Sequence, residues 1–208
     1  MSHSDALRTL QNMQQESRSS ELSLWTASRG GDQSAFGLLF DLHKDRVFRH
    51  AFRLLSDRSD AEDVLGTVFF ELWRKRNAVH VVDGSILPWL LLTATNTALN
   101  LQRATRRYRL LLSRLPREDR ELSAEDQAYL RSNGLSPQLD LAIRGLSPID
   151  QGLVALVMIE GYPIAEAATA LEIGSTVARK RLSRLRVRLR DSLSSTTPAD
   201  LALEGNGS

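Results

Sequence analysis

Apolar residues recur at intervals of three and four along most of this chain. That spacing builds helices, and the alternation a sheet would need is scarce. From Asp32 to Leu55 one stripe runs through Phe36, Leu39, Phe40, His43, Val47, Phe48, Ala51 and Leu55, a single face at helical pitch. A shorter helix starts after Ser19 or Ser20 and stops at Arg29-Gly30-Gly31. Asp32 suits the N-cap of the long one, because its carboxylate can accept from the free N–H groups of the first turn. Ser56-Asp57-Arg58-Ser59 breaks that helix. The next is expected from near Asp60, with Asp60, Glu62 and Asp63 in a first turn where carboxylates favour the helix dipole. In it Val64, Val68 and Leu72 recur every four residues, as do Leu65, Phe69 and Trp73, so the apolar surface is broad. Asn77 to Ser85 reads as a loop, and a further helix runs from about Pro88 past Arg103 towards Leu112.

Pro116 to Pro137 is charged, poor in large apolar residues and interrupted by Ser132-Asn133-Gly134. It is expected to be a flexible linker, with a transient helix around Ala124 to Leu130. Beyond it, Ile164, Ala167, Ala168 and Leu171 make a short amphipathic helix. Glu172-Ile173-Gly174 follows as a tight turn with Ile173 inward. Ser175 or Gly174 can cap the next helix, whose apolar residues are Val177, Ala178, Leu182 and Leu185. The small side chain of Ala168 lets two steeply crossing helices approach, as in a helix-turn-helix. The second helix carries Arg179, Lys180, Arg181, Arg184, Arg186, Arg188 and Arg190, with no acid before Asp191. The early part of such a helix can enter the major groove, where arginine pairs with guanine edges or phosphates. Neutralising several phosphates makes such binding strongly salt-dependent. A basic amphipathic helix can also lie on a protein or membrane surface, but the placement of charge on the recognition helix favours DNA.

Composition narrows the chemistry. Among 208 residues there is no cysteine, which excludes disulfides, thiol nucleophiles and cysteine-ligated zinc. The histidines are His3, His43, His50 and His80. His43 and His50 are seven residues apart, a rise of about 10 Å, too far to share a metal ion. No phosphate loop, nucleophile elbow or metal-binding helix motif is present, so no catalytic residue, metal or cofactor is expected. Ile86 to Leu92 contains Pro88 and is far too short to span a bilayer. Met1 to Ser20 has no apolar signal core. The expectation is a cytoplasmic protein without membrane insertion. Net charge is only +2, but basic residues gather at Arg103 to Arg114 and Arg179 to Arg190, and acidic ones at Asp57 to Glu71 and Glu118 to Asp126. Two basic clusters far apart in sequence suggest two contacts with one polyanion.

Two blocks together resemble the extracytoplasmic-function (ECF) sigma factors of the sigma-70 family. The first holds Gly31-Asp32-Gln33-Ser34-Ala35-Phe36, Leu39-Phe40, His43, Val47, Ala51 and Arg53-Leu54-Leu55. It continues with Asp60-Ala61-Glu62-Asp63-Val64, Val68-Phe69, Leu72-Trp73, Trp89-Leu90, Asn96, Ala98 and Arg103. It is similar to sigma domain two. The second holds Leu146-Ser147-Pro148, Glu160-Gly161-Tyr162 and the helix-turn-helix from Glu166 to Leu185, and is similar to sigma domain four. The resemblance implies an all-α protein of two small helical domains on a flexible linker. Its layout would be an extension at 1–20, domain two at 21–114, the linker at 115–136, domain four at 137–194 and a tail at 195–208, both ends being disordered by default. It also implies a non-enzymatic subunit that binds core RNA polymerase, at the beta-prime clamp and the beta flap, and directs promoter recognition and initiation. An anti-sigma protein covering both domains is a partner the family offers.

Site residues follow from the same resemblance. Asp60, Glu62 and Asp63 would offer charge to the clamp, and Phe69, Leu72 or Trp73 apolar anchorage. Against this stands the plainer role of filling the core, which some of Phe69, Phe70 and Trp73 must take, since one helix has one outward face. Asn96, Asn100, Arg103, Arg106 and Arg107 would contact the minus-ten element, Arg109 would face phosphate, and Ala78 to Ser85 would wall a pocket for a flipped base. A buried amide bonded to backbone is the other reading of Asn96. Ser175, Thr176, Arg179 and Lys180 would meet the minus-thirty-five element, with Arg181, Arg184 and Arg188 on phosphates or in structural pairs. The chain departs from the family at Gly66-Thr67, where Gln-Glu is common, at Thr95 and Asn100, and at Thr176-Val177-Ala178, where Gly-Thr-Val is common. It departs again at Glu172 in place of glycine, a residue strained by about 1–2 kcal/mol if left-handed. Gly66-Thr67 keeps open an alternative, a sigma-fold DNA-binding regulator that does not productively engage core polymerase.

Overall fold

The computed structural model describes residues 19–111, 142–143 and 145–194. The proposed linker at 115–136 and tail at 195–208, and nearly all of the extension at 1–20, lie outside these residues. The short first helix, α1, covers residues 19–29. It ends where Gly31 takes a φ of 99°, a conformation that glycine tolerates without strain. Helix α2, Gln33–Leu55, begins as expected on Asp32, whose side chain accepts from the N–H groups of Ser34 and Ala35. It closes on Ser56, left-handed at φ 58°, whose N–H donates to Phe52 O.

Helix α3, Arg58–Arg74, starts two residues earlier than the acidic run suggests. The reason is the cap: Asp57 accepts from the Asp60 N–H. Only Asp60 therefore stands in the first turn, and Glu62 and Asp63 lie beyond it. Helix α4, Leu87–Leu111, follows a loop in which Val82 and Ser85 pair across Asp83-Gly84. Helices α2, α3 and α4 pack on one another around Leu39, Val47, Ala51, Val64, Val68, Leu72, Leu90, Ala94 and Ala98, with Trp25 inserted from α1. Each large side chain buried there stabilises the fold by about 1.5–3 kcal/mol.

The second unit is smaller. Helix α5, Pro148–Leu153, is capped by Ser147, which accepts from the Asp150 N–H. It runs on into a π-helical turn, Val154–Ile159, closed by the Glu160 N–H donating to Ala155 O at 3.0 Å. Helices α6, Ile164–Ala170, and α7, Ser175–Ser194, form the helix-turn-helix. Ala168 and Ala178 are buried at the crossing, where anything larger would hold the helices apart. In the turn Glu172 is left-handed at φ 54°, and half-buried Ile173 packs on the core. Gly174 is the residue before the helix, its carbonyl accepting from the Ala178 N–H.

The units touch. Leu91 of α4, Leu156 and Ala167 are buried together, with Leu87, Leu92, Val157, Tyr162 and Ala170 against them. The approach is close at Gly152, where a Cβ would lie 2.5 Å from a Leu171 methyl and 3.0 Å from a Leu92 methyl. Among the described residues no helix is long and apolar enough to cross a membrane.

Candidate nucleic-acid and partner interface

On α7 the buried residues Ala178, Leu182, Leu185 and Leu189 define the inward face. Thr176, Lys180 and Arg184 project from the other side, Arg179 stands exposed on one flank, and Ser175 is half-buried at the start. Arg181 is set apart: half-buried, it donates from a guanidinium nitrogen to Asp150 Oδ1 at 2.9 Å. Asp150, Val177, Lys180, Arg181, Arg184, Leu185 and Arg188 line a depression of about 450 Å³ between α5 and α7. The helix therefore offers an early row of polar and cationic side chains, while Arg181 ties it to the α5 N-terminus.

Asn96, Asn100, Arg103 and Arg107 are all exposed on α4. Their spacing of four, three and four places them within a wedge of about 60 degrees. The buried-amide reading of Asn96 is overturned, since its neighbours Ala94, Thr95, Ala98 and Leu99 take the inward face. Arg103 donates to Asn100 Oδ1 at 3.1 Å, which links the two within the row. The side chains of Arg106 and Arg109 lie outside the described residues. The loop before α4 is held from beneath by Glu21, a buried carboxylate of α1. It accepts from His43 Nε2, Ser85 Oγ and the Ile86 N–H at 3.0, 2.9 and 2.8 Å. Burial pushes this carboxyl up, but the His43 bond and charge with the two loop donors outweigh it and bring it below the usual carboxylate range.

Helix α3 corrects the expected anchor set. Phe69 and Leu72 are 4% and 0% exposed, so they serve the core and not an outward surface. Phe69 packs edge-on against Phe36 and Phe40. Trp73 is half-buried between Phe36 and the Arg76 guanidinium. The outward aromatic is Phe70, 65% exposed, which the expected set omitted. It shares its face with exposed Asp63, Gly66 and Thr67. Glu62 is exposed and paired with Arg58, and Asp60 is half-buried. Near the helix end, hydrogen bonds from Arg74 and then Lys75 hold the Glu71 carboxyl down at about 2. Helical rotation alone could have singled out Phe70, which is about 100 degrees from Phe69. Two interleaved apolar rows obscured which row faced in.

Residues 39–108 match the family model described as sigma-70 region 2. The chain is 32% identical over 169 residues to the ECF RNA polymerase sigma factor SigE of Mycolicibacterium smegmatis, covering 78% of this chain but only 64% of SigE. It is 30% identical over 165 residues to the RNA polymerase sigma factor CarQ of Myxococcus xanthus, covering 79% of this chain and 92% of CarQ. A solved structure of CnrH in complex with the cytosolic domain of CnrY is similar in fold, with a TM-score of 0.57 and 19% identity over 86% of this chain and 99% of that one. With the region-two bundle, the helix-turn-helix and a relative matched over nearly its whole length, the chain belongs to the ECF group of the sigma-70 family of RNA polymerase sigma factors.

Proposed function

We propose that this chain is a non-enzymatic initiation subunit that binds core RNA polymerase and directs it to promoters. The observation that carries the reading is a pair of exposed polar and cationic rows, one on each unit. Asn96, Asn100, Arg103 and Arg107 lie on α4, and Thr176, Arg179, Lys180 and Arg184 on α7. The α4 row, beside the loop pinned by Glu21, meets the minus-ten element. There unstacked bases gain binding energy from the protein that offsets the cost of separating strands. The α7 row meets the minus-thirty-five element, with base edges read by Arg179 and Lys180 and phosphates held by Arg184. The outward face of α3, with Asp63, Phe70 and the exposed acid Glu62, meets the polymerase clamp; a single exposed aromatic amid charge is a common centre of binding energy. An anti-sigma protein spanning both units belongs to the same reading.

The test is transcription on a genomic DNA library by purified bacterial core polymerase, with and without the folded protein. Start sites that appear only with the protein support the reading and reveal both promoter elements. Specific DNA binding without core binding would replace it with a stand-alone regulator. In that case the loss of two long polar side chains at Gly66-Thr67, on the very face assigned to the clamp, becomes the cause to examine first.

A further inference from the structure

A carboxylate of the second unit is buried in a cationic notch of the first. Glu160 follows the π-helical turn, and its side chain is 4% exposed. Its Oε2 accepts from Arg46 Nε at 2.8 Å, and its Oε1 from His50 Nδ1 at 2.9 Å and an Arg53 guanidinium nitrogen at 3.0 Å. The three donors lie on one face of α2. Beneath them the His50 side chain is fully buried, with Nε2 2.8 Å from Thr95 Oγ1 on α4. The Thr95 hydroxyl also lies 2.8 Å from Leu91 O, so His50 bridges Glu160 on one side and α4 on the other. Burial alone would push the Glu160 carboxyl up; the bonds and charges of His50 and Arg46 outweigh it and hold it at about 2. The apolar seam of Leu91, Leu156, Ala167 and Tyr162 lies alongside. At its edge His80, in the loop before α4, meets Glu172 of the helix-turn-helix at 3.0 Å.

We propose that Glu160 is an intramolecular latch that holds the two units in a closed form unable to engage a promoter. The inference rests on the reading of the chain as a promoter-binding subunit. Elements centred on positions ten and thirty-five are separated by about 25 base pairs, or about 85 Å of B-form DNA at 3.4 Å per step. A domain of about 100 residues has a radius of gyration of about 13 Å. Two such units in contact cannot place one row on each element, so they must part. The seam leaves Asn96, Asn100, Arg179 and Lys180 exposed. It restrains their separation and does not cover them. Parting exposes Glu160, Arg46 and Arg53 to water, so the closed form is held by their ion pairs and by burial of the apolar seam, set against the hydration these groups regain.

The absence of native cysteine allows two nitroxide labels to be attached to the full chain, at Gln33→Cys and Ser183→Cys, both exposed sites. Distances between them are read by pulsed electron paramagnetic resonance. The parent chain is expected to give one narrow distribution. Glu160→Lys, which sets a cation against three donors, is expected to give a longer and broader one. Arg46→Glu breaks the latch from the other unit at a side chain 43% exposed, and circular dichroism of both variants reports whether the helices persist. A parent distribution that is already broad, or an unchanged narrow one in both folded variants, overturns the latch. The same proteins are then assayed with limiting core polymerase. A rise in promoter-specific transcripts of about fivefold or more in the opened variants supports inhibition by closure. Equal transcription by open and closed forms overturns the inhibitory role. Opening with no start sites from any form instead refutes the promoter reading and leaves Glu160 as a contact between units.

Discussion

Two positions separate Arg179 from Arg181, about 200 degrees of rotation on a helix, and the structure leaves the first in solvent while pairing the second with Asp150. They therefore contribute differently. Arg179→Ala is expected to weaken discrimination at one base pair of the upstream element by about 1–3 kcal/mol, the worth of a bidentate base contact. Binding to a panel of single-base variants at fixed salt checks this, and an equal loss on every sequence would make Arg179 a phosphate contact. The rotation between the two arginines was legible in the sequence, because it depends only on helical pitch. The partner of Arg181 was not, because Asp150 is 31 residues upstream and meets it only once α5 packs on α7. Asn96 shows the same boundary. Its exposure depends on which side of α4 the bundle covers, and that is decided by other helices.

At the scale of the helix, α3 carries three predictions. Gly66 is exposed and an added Cβ would meet nothing within 4 Å. Gly66→Ala should raise the urea midpoint, by about 0.5–1 kcal/mol of stability, since alanine forgoes glycine's conformational cost. Phe69→Ala, by contrast, should cost about 3–5 kcal/mol by emptying a core position. Phe70→Ala should leave the unfolding midpoint within about 0.5 kcal/mol while weakening the association with core polymerase. Measuring stability and core binding on both variants separates the buried aromatic from the outward one. Helix ends were readable where a side chain caps its own backbone, as at Asp32. They were misplaced where two acids competed for the same role, as at Asp57 and Asp60. The π-helical turn after α5 carried no mark in the run Val154-Ala155-Leu156-Val157-Met158-Ile159, whose apolar content fits an α-helix equally well.

At the scale of the whole molecule, the seam between the units is what sequence reading missed. Glu160-Gly161-Tyr162 stands out as a motif, and Arg46, His50 and Arg53 recur at helical spacing. Nothing in a linear pattern pairs residues more than 100 positions apart. A pH prediction belongs to this contact. Burial raises the Glu160 carboxyl and its His50 and Arg46 partners lower it, from an ordinary 4.5 to about 2 in the closed form. A carboxyl depressed in this way stabilises the closed form fully above its ordinary value and loses that contribution as pH falls through the lower one. The distance distribution should lengthen as pH drops below about 4.5, with helical dichroism retained. Glu160→Gln should remove that step.

The π-helical turn has a consequence for how such a chain could diversify. Its closing bond spans five residues, from Glu160 back to Ala155, one more than an α-helix uses. Loss of a single codon within this stretch would restore ordinary winding and swing the following carboxylate by about 100 degrees. The same change would shift the buried Val154, Ala155 or Leu156 and rotate α6 and α7 against α5. A single deletion there would thus be enough to undo the contact proposed between Glu160 and α2.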